Sequence, residues 1–145
     1  MNDAQTLLAD AALTSFRLNG QLLALAEELA RPAGLTAARW QVLGALLGEP
    51  RTVSEIAREM GLTRQSVQRV ADLVVAEGLA SYADNPAHRR AKLVTLSVAG
   101  RDAIARIDPQ HATAAAELVR EVGAPRLREV LAGMHDLSVA LDRLG

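Results

Sequence analysis

The chain has 145 residues, of which half are hydrophobic, only 2% are aromatic and none is cysteine. This length suits one domain with a real core, and the lack of cysteine excludes disulfides, thiolate catalysis and cysteine-based redox sensing. The formal net charge is −1, which taken alone argues against a nucleic-acid partner.

Two helices are predicted before residue 51. The first covers about Asp3–Ala30, where leucine and alanine recur at helical spacing until residues 31–34, Arg-Pro-Ala-Gly, interrupt the pattern. Thr36 is placed to cap a second helix, predicted over Ala37–Leu47. That helix contains the single tryptophan, Trp40, which suits a core, an interface or the wall of a ligand pocket.

Residues 52–63 are typical of a short helix followed by a tight turn. Thr52 and Glu55 have the spacing of a capping box, in which each side chain bonds the other residue's backbone N–H. Gly61 is placed as a left-handed C-cap, and Thr63 can cap the helix that follows. Two short helices joined through so brief a glycine-containing turn predict a helix-turn-helix.

The second helix of this pair is predicted over about Arg64–Glu77. Its apolar residues recur at a spacing of three to four, which indicates one buried stripe. Arginine can pair with guanine and glutamine with adenine, while serine bonds bases or phosphates. The N-terminal turns, which reach base edges in a recognition helix, hold the candidate DNA contacts Thr63, Arg64, Gln65, Ser66, Gln68 and Arg69. The alternative is an ordinary solvated polar face.

The segment after Gly78 predicts a β-hairpin. Leu79–Ala83 and Leu93–Ser97 have strand composition, and the turn-rich loop between them is basic. No carboxylate lies between Asp84 and Asp102. Such a loop beside a recognition helix suits phosphate contact or insertion into the electronegative minor groove. Its candidate DNA contacts are His88, Arg89, Arg90 and Lys92.

Two further helices are predicted after the hairpin. The first spans about Val98–Val122, and Pro109 inside it removes one backbone hydrogen bond and should bend it. Pro125 suits the first turn of a last helix that ends near Leu144. The terminal helices carry more apolar surface than a small domain can cover, which favours burial against a second copy over a monomeric helical core.

Charge is unevenly distributed along the chain. Residues 51–101 hold eight basic and five acidic residues, a net charge of +3, whereas the remainder holds eight basic and twelve acidic residues, a net charge of −4. This asymmetry would put positive potential where nucleic acid would lie and keep it away from the other helices.

Residues 62–70, 77–79 and 89–101 together resemble the multiple-antibiotic-resistance regulator (MarR) family. The resemblance implies a mainly α fold with a small β-hairpin wing: a single domain over residues 1–145, with a winged helix-turn-helix at about 35–98. Dimerisation helices would cover about 3–30 and 98–144. It also implies a homodimer on a pseudo-palindromic double-stranded DNA operator, usually a repressor that a small, often aromatic, ligand releases.

The wing departs from the family pattern at one position. Members commonly have an aspartate two residues before the minor-groove arginine, and that aspartate braces the arginine. If Arg90 corresponds to this arginine, His88 stands at the bracing position. The side chain of Arg90 would then be positioned differently from that of other members, and we expect DNA binding by the wing to depend on pH.

Other chemistry is sparse. The three histidines lack ligand spacing, and there is no glycine-rich phosphate loop, nucleophile elbow or paired-carboxylate motif. We therefore expect no enzyme, no cofactor and no metal site. No apolar run reaches the roughly 18 residues of a membrane span, and the first residues lack the positive region of a signal peptide, so we expect no membrane contact and a cytoplasmic location.

A second class of function remains open: a winged-helix protein-interaction module without DNA binding. Such a module does not need five clustered cations and would more often expose apolar residues there. The basic set Arg64, Arg69, Arg89, Arg90 and Lys92 therefore favours a DNA-binding regulator.

Overall fold

The chain folds into six α-helices and three short strands, in a computed structural model that describes all 145 residues. It divides into two compact units, Met1–Ile107 and Asp108–Gly145. The helices are α1 (Asp3–Ala30), α2 (Ala37–Gly44), α3 (Val53–Met60), α4 (Arg64–Ala76), α5 (Val98–Val122) and α6 (Ala124–Leu144), and the strands are β1 (Arg51–Thr52), β2 (Ala80–Ala83) and β3 (Leu93–Leu96).

The core of the first unit draws side chains from nearly every element. Its largest fully buried side chains come from α2, α3, α4, β3 and α5. Alanine fills the narrower places, since Ala30, Ala57, Ala71 and Ala103 are all buried in the same cluster. Small aliphatic side chains therefore do the packing in a chain with few aromatics. The six largest fully buried side chains are those of Leu43, Ile56, Val67, Val74, Val94 and Ile107.

Local capping sets the bounds of the helix-turn-helix as predicted. The Thr52 hydroxyl accepts from the Glu55 backbone N–H at 3.1 Å, and the Glu55 carboxylate accepts from the Thr52 N–H at 3.0 Å. Gly61 ends α3 in the left-handed conformation, with φ at 66°. The Thr63 hydroxyl then caps α4 by accepting from the Ser66 N–H at 3.1 Å. Every polar group that the sequence assigned to these caps is engaged there.

The three strands form one antiparallel sheet with β3 in the middle. In its register Val94 lies opposite both Arg51 and Tyr82. Strand β1 was not predicted, because two residues are too few to show an alternating pattern. It ties the start of α3 to the hairpin, since Thr52 is both the cap of α3 and the partner of Leu93 in the sheet.

Helix α2 is shorter than the sequence suggested, and the predicted end at Leu47 was wrong. The helix ends at Gly44. Beyond it the backbone tightens, since the Leu46 N–H bonds the Leu43 carbonyl at 3.0 Å and the Leu47 N–H bonds the Gly44 carbonyl at 3.2 Å. The apolar periodicity continued past Gly44 because Leu46 is still buried, although it is no longer helical.

The hairpin strands are each one residue shorter than predicted, and α4 ends one residue earlier. Glu77 is the C-cap of α4 rather than part of it. The Leu79 N–H closes the end of α4 by bonding the Val74 carbonyl at 2.9 Å. The Ser97 hydroxyl donates to the Gly78 carbonyl at 2.7 Å and accepts from the Gly100 N–H at 3.0 Å. Leu79 and Ser97 therefore serve helix ends instead of extending the sheet.

The second unit contains the rest of α5 and all of α6. Helix α5 continues through Pro109, and Pro125 lies in the first turn of α6. No residue of α6 is buried in the single chain. Among all the helices, none has both the length and the apolar character needed to cross a lipid bilayer. Exposed large apolar residues of this unit are Leu118, Val119, Val122, Val130, Leu131, Met134, Leu137, Val139, Leu141 and Leu144.

Gly100, in the first turn of α5, has no room for a side chain. An added Cβ would lie 2.0 Å from the Leu79 carbonyl oxygen and 2.8 Å from the Leu96 Cδ1. We expect Gly100→Ala to lower the free energy of unfolding by about 1–3 kcal/mol, because the backbone between α4 and β2 must shift. Denaturant unfolding of the purified protein measures this.

Gly44→Ala is the matched control, since a Cβ there meets nothing within 4 Å. Its unfolding free energy should stay within about 0.5 kcal/mol of wild type. Equal effects of the two substitutions would contradict the close approach of α5 to Leu79.

Candidate nucleic-acid interface

Helix α4 is divided sharply into a buried and an exposed side. Val67, Ala71 and Val74 are at most 1% exposed. The predicted contact residues lie away from this stripe. Of these, Thr63, Arg64, Gln65, Gln68 and Arg69 are exposed and Ser66 is half-buried.

A cleft runs between the start of α3, the start of α4 and the hairpin; we call it the wing cleft. One part of it has a volume of about 300 Å³ and is lined by Arg64 of α4 together with Arg90 and Lys92 of the hairpin. A second part, of about 540 Å³, shares Arg64 and Arg90 and adds Arg58 and His88. Two predicted groups that are more than 20 residues apart in sequence therefore line one cleft. Its other lining residues are Thr52, Val53, Ser54, Glu55, Gln68, Tyr82, Asn85, Ala87 and Ala91.

The remaining predicted residues of α4 gather in a separate, more open depression. Thr63, Gln65, Ser66 and Arg69 line it, with a volume of about 390 Å³. Arg89 lines neither the wing cleft nor this depression and lies exposed on the hairpin loop. The predicted contacts thus form two sets, one on the outer face of α4 and one between α4 and the wing.

The five cations of the predicted set are not neutralised within the protein. No carboxylate forms an ion pair with Arg64, Arg69, Arg89, Arg90 or Lys92, whereas Arg39 and Arg51 are paired with glutamates. At the bracing position, the His88 backbone N–H bonds the Asn85 carbonyl at 3.1 Å, and no hydrogen bond joins the His88 side chain to Arg90. These guanidinium and ammonium groups remain available to an external anion.

Gln68, a candidate DNA contact, is already hydrogen-bonded within the protein. Its Nε2 atom lies 3.0 Å from the Asp72 Oδ1 and 3.0 Å from the Tyr82 hydroxyl. The Tyr82 hydroxyl also bonds Asp72. Hydrogen bonds from Tyr82 and then Gln68 lower the pKa of Asp72. Partial burial, followed by the contact with Asp72, raises the pKa of Tyr82 to about 12.

Ser54, Arg58 and Tyr82 are among the wing-cleft residues that sequence reasoning missed. Ser54 and Arg58 lie one turn apart on α3, and their spacing of four could have marked them as neighbours on one helix face. Tyr82 carried no such signal, because its approach to α4 depends on the packing of β2. The cleft also includes one carboxylate, Glu55, whose pKa is lowered chiefly by its bond to the Thr52 backbone.

Two polar contacts connect α4, through α2, to α1. The Arg39 Nε donates to the Glu77 Oε1 at 2.7 Å, which links α2 to the C-cap of α4. The Ala37 N–H donates to the Glu27 Oε1 at 2.6 Å, which links α1 to the start of α2. A chain of contacts therefore runs from α1 through α2 to the end of α4.

Known proteins are similar to this chain in sequence and in fold. A profile described as the MarR family matches residues 33–91. An uncharacterized protein of Mycobacterium tuberculosis, Rv2011c, is 36% identical over 126 residues, which cover 87% of this chain and 88% of that protein. The chain belongs to the MarR family of winged-helix transcription regulators, which are not enzymes.

Two solved structures illustrate the match. The Mycobacterium tuberculosis transcriptional regulator MosR, in complex with DNA, has a TM-score of 0.74 and 27% identity, covering 90% of this chain and 97% of that chain. A mutant of MarR from E. coli, complexed with operator DNA, has a TM-score of 0.78 and 19% identity, covering 94% and 99%. The predicted winged helix-turn-helix is thereby confirmed.

Proposed function

We propose that this protein is a homodimeric repressor that binds a pseudo-palindromic DNA operator and is released by a small aromatic ligand. The main support for DNA binding is the set of five cations without carboxylate partners at the start of α4 and on the wing. Neutralising phosphates releases condensed counterions, so such a set favours a polyanion over a protein partner. Both solved relatives above are bound to DNA.

The two sets of residues suit two different tasks. The depression with Gln65 and Arg69 lies on the side of α4 opposite its buried stripe, the side that would enter a major groove. The wing cleft places Arg64, Arg90 and Lys92 around a space that a sugar-phosphate strand could occupy. We assign base readout to the first set and phosphate contact to the cations of the second set.

Replacing Arg69 should distinguish recognition of the operator sequence from electrostatic binding to any DNA. We expect Arg69→Ala to cost about 1–3 kcal/mol on the best operator and to flatten the preference at one base pair in each half-site. Binding to random DNA should weaken much less. Operator and random-duplex affinities, measured at several salt concentrations, test this.

The charge-matched control is Arg106→Ala, because Arg106 is exposed on α5 and lines neither set. Equal weakening of operator and random DNA by Arg69→Ala would make Arg69 a phosphate contact only. If wild-type protein bound no duplex DNA at low salt, the fold would serve protein interaction instead.

Dimerisation would cover the apolar helices that the single chain leaves exposed. Leu13 and Phe16 of α1 are 66% and 71% exposed, and Leu131 of α6 is 54% exposed. Exposed apolar residues continue over several turns in both helices, more than an isolated small protein usually presents. A second copy of the same chain is the occupant that a symmetric operator requires.

A twofold dimer makes a geometric prediction about its operator. The two recognition helices must enter successive major-groove faces about 34–36 Å apart. Selected binding sites should therefore be inverted repeats whose half-sites are centred about one helical turn apart. Sedimentation should show a dimer. A monomer in sedimentation, or a single asymmetric site, would contradict this proposal.

Ligand release is supported by an open apolar groove beside the single tryptophan. Ala26, Trp40, Gly44, Ala45 and Met60 line most of this groove, whose volume of about 430 Å³ suits a small aromatic molecule. The groove lies on α1, α2 and α3, and α2 contacts the end of α4 through Arg39. A ligand seated there could therefore alter the position of the recognition helix.

The emission of Trp40 gives a direct test of this groove. A small aromatic acid such as salicylate should quench the fluorescence and weaken operator binding by about 5- to 150-fold at saturation, the usual range of coupling between two sites. Ala26→Leu, which fills the groove, should bind operator normally but resist release. Release that is unchanged in Ala26→Leu would place the ligand elsewhere.

A further inference from the structure

A triangle of hydrogen bonds joins the wing to α4 through the side chain of Tyr82. The ring of Tyr82 is partly buried against the core, and its hydroxyl lies 3.0 Å from the Gln68 Nε2. The same nitrogen lies 3.0 Å from the Asp72 Oδ1, to which the Tyr82 hydroxyl donates. Gln68 and Asp72 are exposed and one turn apart on α4. A side chain of the wing is therefore in direct contact with the recognition helix.

The triangle leaves Gln68 with both a donor and an acceptor. The Asp72 and Tyr82 oxygens are bonded to each other and therefore lie in nearly the same direction from the Gln68 nitrogen. They share one of the two amide hydrogens, while the second hydrogen and the carbonyl oxygen have no partner within the protein. An N–H donor and a carbonyl acceptor are the groups that pair with N7 and N6 of adenine. Gln68 thus remains able to recognise adenine.

The chemistry of the two partners fixes the orientation of the amide. An ionised carboxylate only accepts hydrogen bonds, whereas an amide has donors on its nitrogen and an acceptor on its oxygen. Hydrogen bonds from Tyr82 and then Gln68 lower the pKa of Asp72, which is therefore ionised at neutral pH. Turning the amide over would bring the Gln68 oxygen against the Asp72 oxygen, so one of the two amide orientations is strongly favoured. The order in which Gln68 presents its donor and its acceptor is set before DNA binds.

Holding the amide increases the discrimination between bases. A glutamine without such partners loses side-chain freedom when it contacts a base. It can also turn its amide over and so accommodate a different base. The Tyr82 hydroxyl and the Asp72 carboxylate reduce both effects, because they order the Gln68 side chain in the free protein and oppose the turned orientation.

We propose that Tyr82 is a specificity-determining residue, which acts with Asp72 to position Gln68 for adenine at one position of each half-site. Gln68 is the contacting residue, and Tyr82 and Asp72 are positioning residues. The wing thereby contributes to base recognition through α4, in addition to any contact that its cations make with phosphates. This inference rests on the proposed DNA binding.

Selection from a random duplex library, followed by affinity measurements on single-base variants of the selected site, tests this with the full-length protein. Wild type should favour adenine at one position of each half-site by roughly 5- to 150-fold, and Gln68→Ala should flatten that position alone. Tyr82→Phe keeps the aromatic ring but removes the hydroxyl. The adenine preference should then fall by about 2- to 10-fold, while the affinity for random DNA stays the same.

Ser81→Ala is the matched control for Tyr82→Phe. It removes an exposed hydroxyl from the neighbouring residue of β2, and Ser81 is not part of the triangle. Its base preferences should equal those of wild type at every position.

Two substitutions of Asp72 distinguish its hydrogen bonds from its charge. Asp72→Asn and Asp72→Ala both remove a negative charge, which should strengthen binding to any DNA to a similar extent. Asparagine keeps a side-chain oxygen that can accept from Gln68 and Tyr82. Asp72→Asn should therefore keep most of the adenine preference, whereas Asp72→Ala should lose about as much of it as Tyr82→Phe.

The inference is overturned if Tyr82→Phe or Asp72→Ala keeps the full adenine preference of wild type, or if Gln68→Ala alters no position. It is also overturned if Tyr82→Phe weakens selected and random DNA equally, since that is the result expected of a merely structural role. Failure of wild type to select any DNA would overturn the proposed function itself.

Discussion

Burial of one stripe on α4 is the constraint on which the rest of the surface depends. Val67, Ala71 and Val74 are fully buried, and each buried valine contributes roughly 1.5–3 kcal/mol relative to exposure. Rotating α4 about its axis would expose this stripe and bury arginine or glutamine without partners, which is more costly still. Packing therefore decides which side chains face outward, and it does so without any reference to DNA.

The hairpin owes its position to contacts at its base rather than at its tip. Val94 of the central strand is fully buried, and Ser97 links the end of β3 to Gly78 at the end of α4. Because Gly100 has no side chain, α5 can lie close against the Leu79 carbonyl. With its base held in this way, the loop needs no regular structure to bring Arg90 and Lys92 to the wing cleft. This division leaves the tip free to carry charge instead of core residues.

Electrostatics explains how an acidic protein can still attract a polyanion. The whole chain carries a formal charge of −1, but the exposed cations near α4 and the wing lack carboxylate partners. Charges more than about 8–10 Å from a phosphate are largely screened at physiological salt. The local set therefore decides the interaction, and distant acidic residues on the other helices contribute little.

The sequence by itself determined the helix-turn-helix, its caps and the outward face of α4, because these depend on contacts within three or four residues. It also indicated the wing, through strand composition around a basic loop. Only the tertiary structure decided that β1 joins the hairpin, that α2 ends at Gly44, and that Tyr82 engages Gln68. Strand pairing and the Tyr82 contact join residues that are distant in sequence, and α2 ends at Gly44 although Leu46 beyond it is still buried. The local sequence pattern cannot reveal these three features. The same residues would be equally compatible with an unpaired β1, a longer α2 or a Gln68 side chain without a partner.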